Sequence, residues 1–155
     1  MDINSVTIDV VDEQNDFVIQ PEQVKAIVKE VVLFEGQRFN EVAVFFITNE
    51  KMCEMHAEFF DDPSPTDCIS LPMDEEEGDG YRHLGEIFVC PFTAKEFVSL
   101  HGGSCEEEVT LYIVHGLLHL MGYDDIDETD EAAMRTAEAR HLMHLKERGL
   151  CLSSL

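Results

Sequence analysis

Apolar residues recur along this chain with two periods, and the switch between them marks out its elements. From Ser5 to Val11 they alternate, with Val6, Ile8 and Val10 on one face, which predicts a strand. Beyond Pro21 the spacing becomes helical. Val24, Ile27, Val28 and Val31 form one stripe, Pro21 suits a first turn, and Gly36 follows a helix expected to reach about Glu35. Glu41 to Thr48 reads as a second strand, and Asn49 to Phe60 as a short helix with Met52, Met55 and Phe59 facing inward. The turn-rich DDPSPTD segment leads to a short third strand, Cys68 to Leu71. The DEEEGDG run is then an exposed acidic connection to a fourth strand, Leu84 to Cys90. Pro91 to about Leu100 is a helix that Gly102 and Gly103 stop.

Ser104 and Glu107 match a capping box at the start of a long helix. From Val109 to Met121 this helix is apolar nearly all round, so it is expected to run through the core. A last helix covers about Glu128 to Arg148, with Gly149 at its end. This order predicts an α+β domain in which a small mixed sheet of about four strands is packed by about five helices. A length of 155 residues suits a single domain, residues 1–155, with room for a sizeable core.

Composition narrows the function classes. No apolar run approaches the roughly 18 residues of a membrane span. The opening MDINSVTIDVVDE has no basic segment followed by an apolar one, so a signal peptide is not expected and the cytoplasm is the default location. Cys53, Cys68, Cys90, Cys105 and Cys151 are odd in number and form no CxxC pair; they read as reduced, mostly packed thiols. The formal charge of −23 opposes encounter with polyanions, so a nucleic-acid substrate would have to be drawn in locally by a metal ion or a few placed cations.

The chemistry concentrates in HGLLHLMGYDD, residues 115–125. His115 and His119 are one helical turn apart, so both rings project from one face and can share a divalent ion. A lone histidine on an apolar helix is usually just packed there. Two at ligand spacing would leave polar nitrogens unsatisfied in a core without a metal. Gly122 can reverse the chain and carry Asp124 or Asp125 back to the ion. The spacing H-x3-H-x5-D is close to the H-x3-H-x5-H layout of three-ligand zinc sites. Gly116 stands where HExxH metalloproteases place their general base, so this helix supplies ligands but no adjacent base. An interior helix glycine suggests close approach of a backbone or a substrate beside His115. His141 and His144 lie three apart on the last helix, where a solvated face is the simpler expectation.

Together these segments resemble the YbeY family of rRNA maturation factors, metal-dependent single-strand-specific endoribonucleases. The resemblance is carried by PTDCISLP at 65–72, LGEIFVC at 84–90, VHGLLHLMGYDD at 114–125, and Met134 with Glu138 in the last helix. It implies an α+β fold and one zinc ion held in a cleft for RNA phosphodiester cleavage. The implied ligands are His115, His119 and Asp125, the last in place of the family's third histidine. A carboxylate there adds negative charge and lowers the ion's Lewis acidity. Thr66, Asp67 and Ser70 match the family's cleft-lining strand; they either hold substrate or simply satisfy loop and strand backbone. Phe60 replaces a family arginine, which removes a cation from the scissile phosphate.

The expectation is therefore a zinc-dependent endoribonuclease acting on single-stranded RNA in rRNA maturation and ribosome assembly, with ribosome-associated partners and no membrane. The catalytic base is unassigned, with Asp124 a candidate. Asp125, Phe60 and the net charge keep open a non-catalytic, metal-stabilised assembly factor. A metallopeptidase is disfavoured by Gly116.

Overall fold

The computed structural model of the chain describes residues 5–73 and 80–153. Its elements are β1 (Thr7–Asp12), α1 (Pro21–Phe34), β2 (Glu41–Phe46), α2 (Asn49–Phe60), β3 (Cys68–Pro72), β4 (His83–Val89), α3 (Pro91–His101), α4 (Cys105–Leu120) and α5 (Glu128–Glu147). The α+β expectation, in number and order of elements, matches this architecture. Apart from Gly80, the acidic DEEEGDG connection lies outside the described residues.

The sheet order is β1-β2-β4-β3. β2 runs parallel to both β1 and β4, and β3 is antiparallel to β4. Parallel neighbours need a crossover, and α1 supplies the one between β1 and β2. β1 is an edge strand. Only Ile8 of its expected apolar face is buried, and Val6 is exposed, because a strand with a single neighbour is only partly covered.

α4 is the central helix, packed against β3, β4, α1, α3 and α5. Its Val109, Ile113, Val114, Leu117 and Leu118 are fully buried. Ser104 caps it by accepting a hydrogen bond from the Glu107 amide at 3.2 Å. The reciprocal half of the expected box is absent. The Glu107 carboxylate instead pairs with Lys146 of α5, 2.6 Å away.

Gly116 explains how close α4 comes to the sheet. A Cβ there would lie 2.9 Å from Cys68 Sγ and 2.9 Å from Ile87 Cγ2. The close neighbours are thus side chains of β3 and β4, rather than the backbone or substrate that the sequence suggested.

α2 differs from its expected packing. Met52 and Met55 are buried in a small satellite cluster with Ile47, Ile69 and Cys90. Phe59, expected to face inward, is exposed, as are its neighbours at the end of the helix. The apolar stripe outlasts the surface that covers it.

Candidate metal centre

α4 ends at Leu120, and the chain reverses at Gly122, whose φ of 106° is open to glycine and costly for other residues. The Tyr123 amide then donates to the Leu118 carbonyl at 2.9 Å. This turn brings the 123–125 segment back over the last turn of α4. Asp125 Oδ2 comes within 3.6 Å of His119 Nε2 and 3.9 Å of His115 Nε2. The two Nε2 atoms are 3.1 Å apart. A tetrahedral ion with bonds near 2.0–2.1 Å sets its ligand atoms roughly 3.3 Å apart, so these three atoms have the separation of one ligand set. Among the described residues they are the one group of three such side chains that could hold a metal ion. Asp124 is not part of it.

The tautomers strengthen this assignment of chemistry. His115 Nδ1 lies 2.5 Å from Glu138 Oε2 on α5, and His119 Nδ1 lies 3.0 Å from the Tyr123 carbonyl oxygen. Both partners are acceptors, so each Nδ1 carries its hydrogen. In the neutral rings both Nε2 lone pairs then converge on the same point as a carboxylate oxygen. Such an arrangement requires a positive group at its centre, a proton or a metal ion. The donor set of two imidazoles and one carboxylate fits zinc.

Each ring is held from outside the centre. Glu138 is 4% exposed and takes a second bond, 2.8 Å, from Arg135. Burial alone would raise the Glu138 carboxyl, but the bonds from His115 and Arg135 outweigh it and hold the group below its ordinary value. Burial would likewise lower His115; Glu138, helped by the charges of Asp67 and Asp125, raises it instead. On the other side, the Tyr123 hydroxyl donates to Glu35 at 3.1 Å. Glu35 is bound in turn by Arg140 and by His141 Nε2 at 2.7 Å.

This last contact corrects the reading of His141 and His144. His141 is fully buried rather than solvated. His144 pairs with Glu30 at 2.7 Å and stacks on Phe34 with ring centroids 3.8 Å apart. Glu30 lies on α1 and Glu35 caps its C-terminal end, both over a hundred positions away, so a pattern read along α5 alone could not show that its histidines face that helix. The roles of Glu138 and Glu35 were missed for the same reason.

The centre opens into a cleft of about 430 Å³, lined by residues that include Phe60, Thr66, Asp67, Ser70, Asp124, Asp125 and the two histidines. Thr66, Asp67 and Ser70 thus line the same cleft as the two histidines and Asp125. They differ in availability. Ser70 spends its hydroxyl on the Gly116 carbonyl, 3.2 Å away, and so joins β3 to α4. The Thr66 carbonyl and the Asp67 carbonyl accept bonds from Thr93 and the Cys90 amide. Their side chains make no hydrogen bond with described residues. None of the described lining residues is lysine or arginine.

A family model described as Endoribonuclease YbeY matches residues 9–146. The chain is 49% identical over 142 residues to "Endoribonuclease YbeY" of Protochlamydia amoebophila, covering 92% of this chain and 95% of that protein. It is 32% identical to the protein of the same name from Chlamydia caviae, covering 96% and 97%. The solution structure of TM1509 from Thermotoga maritima superposes with a TM-score of 0.65 and 23% identity, over 92% of this chain and 91% of that one, which shows the shared fold. By the extent of these matches, and with the HGLLHLMGYDD segment forming its centre, the chain belongs to the YbeY family.

Proposed function

We propose that this chain is a metal-dependent endoribonuclease that cuts single-stranded RNA during rRNA maturation, working in the cytoplasm in association with the ribosome, as one domain. The observation that carries the reading is the convergence of His115 Nε2, His119 Nε2 and Asp125 Oδ2 at the base of an open cleft. In this reading the three side chains hold one zinc ion per chain. When bound, the ion supplies Lewis acidity toward a phosphoryl oxygen and a water molecule.

The protein's own groups set the conditions for that chemistry. Glu138 and the Tyr123 carbonyl fix both imidazoles in the tautomer that presents Nε2 to the cleft. Asp125 brings a negative charge that a third imidazole would not, which tempers the ion's acidity. Asp124 and Asp67 line the same cleft and are the carboxylates within it able to accept a proton from an attacking nucleophile. No helix among the described residues is long and apolar enough to cross a membrane.

One observation favours a second reading. A cleft without a described lysine or arginine in its lining offers transition-state charge no ammonium or guanidinium partner. A metal-stabilised assembly factor without cleavage would tolerate that. The two readings separate in one assay: cleavage of single-stranded and duplex RNA, with and without a chelator. The nuclease reading expects chelator-sensitive cuts in the single strand alone. Absence of cuts at any metal concentration contradicts it.

A further inference from the structure

Phe60 is the last residue of α2, and 57% of it is exposed. It lies in the wall of the cleft that holds His115, His119 and Asp125, and among the described lining residues it is the one phenyl ring, the other aromatic rings there being the two imidazoles. Its placement is fixed from both directions along the chain. Asp61 ends α2 in the left-handed conformation, with φ of 55°, and its amide bonds the Ala57 carbonyl at 3.0 Å. The chain then turns back on the helix, where the Ser64 carbonyl accepts from His56 Nδ1 at 2.8 Å. The His56 ring so anchored lies against Phe60, with centroids 5.5 Å apart and planes inclined by 56°. Phe60 is therefore a buttressed ring beside the metal ligands, with more than half its surface open to solvent.

The charge around it limits what it can meet. Asp67, Asp124 and Asp125 share the cleft, and the chain carries −23 overall. Those three carboxylates repel a phosphate group, and none of the described lining residues is a lysine or arginine that would offset them. A nucleobase is neutral, and each base presents a flat π face that stacks on an aromatic ring without any cation. In a duplex those faces are covered by neighbouring bases, whereas in a single strand they are free. A ring in this position would thus favour unpaired RNA through the base instead of the backbone.

We propose that Phe60 is a stacking platform for one base of a single-stranded RNA, next to the residue cluster suited to a metal ion. The proposal rests on the ribonuclease reading and specifies how an acidic cleft grips its substrate. Stacking surface is larger for purines, so adenine should be held more firmly than uracil.

The chain contains no tryptophan, so Phe60→Trp places a single indole fluorophore at this site. The probes are 2′-O-methyl oligoadenylate, 2′-O-methyl oligouridylate and an abasic oligomer of equal length, titrated against the full-length wild type, Phe60→Trp and Phe60→Leu. Cleavage of unmodified single-stranded RNA by the wild type is measured in parallel. The expected result is oligoadenylate binding about tenfold weaker in Phe60→Leu than in the wild type, and retained in Phe60→Trp with quenched emission. The abasic oligomer should bind all three proteins alike and leave the indole emission unchanged. If the wild type cleaves RNA and Phe60→Leu binds oligoadenylate as tightly as it does, the platform is wrong while the nuclease reading stands. The same holds if the abasic oligomer quenches the indole as strongly as oligoadenylate. If the wild type neither binds nor cleaves, both fall. Matching thermal melts of the three proteins separate a binding defect from misfolding.

Discussion

The His115 imidazole on α4 donates a hydrogen bond to the Glu138 carboxylate on α5, at 2.5 Å. That contact does two things at once. It orients the ring, and it raises the basicity of the nitrogen facing the cleft. Arg135 steadies the carboxylate from its other oxygen.

Substituting Glu138→Gln keeps an acceptor for the ring but removes its charge. Zinc affinity should fall about tenfold, at the low end for an outer partner of a metal ligand. Glu138→Ala should fall further, because the His115 ring then loses its acceptor and the 2.8 Å contact with Arg135 goes as well. Competition against a chromophoric chelator measures both. Unchanged affinity in both variants would mean that His115 is positioned without Glu138.

Acidification should destabilise the metal-free protein through the α1–α5 seam. Burial lowers His141 from its ordinary 6.5, despite the opposing pull of Glu35. Glu35 is likewise held below its ordinary 4.5, the bonds from His141, Arg140 and Tyr123 outweighing burial. A depressed group contributes stability in full above its unfolded value and loses it as pH falls toward its folded value. The loss from His141 therefore begins near 6.5, and that from Glu35 nearer 4.5. His115 is raised, so it acts in the opposite sense: its contribution is complete below 6.5 and fades as pH rises through its folded value. Urea unfolding at a series of pH values should show a shallower acid loss in His141→Gln than in the wild type. Parallel curves would remove His141 from this account.

Gly116→Ala should weaken the fold by about 1–3 kcal/mol, the range for overpacking a tight core. The added methyl would meet Cys68 Sγ and Ile87 Cγ2, and the usual helix benefit of alanine is smaller than that clash. Chemical denaturation settles the sign. A stabilised variant would show that α4 can lift from the sheet freely.

These cases also show which features a sequence discloses. α4 was legible because its signal is local. The His115 and His119 spacing, the Gly122 break and the following carboxylates all fall within one short segment. The four strands and five helices followed from period and punctuation. What stayed hidden was partnership between distant segments. Nothing near His141 announces Glu35, and nothing near His115 announces Glu138. The exposure of Phe59 is hidden for a related reason: periodicity reports an apolar face and not whether another element covers it.

RNA binding should respond to salt in an unusual way. A typical RNA-binding protein loses affinity steadily as salt rises, because counterion release is forfeited. Here the cleft has no described cationic lining and the net charge is −23. Moderate salt screens that repulsion, the Debye length falling to about 10 Å near 0.1 M. Affinity for a single-stranded oligomer should stay flat or rise slightly from low to moderate salt. A steep fall over the same range would show a concentrated basic surface at work.

Metal content tests the central claim most directly. Elemental analysis of freshly purified protein should find about one zinc per chain in the wild type and in Asp124→Ala. Asp125→Ala should retain less, and the His115→Ala, His119→Ala double variant should retain none. Equal metal in the wild type and the double variant would contradict the assignment of this centre.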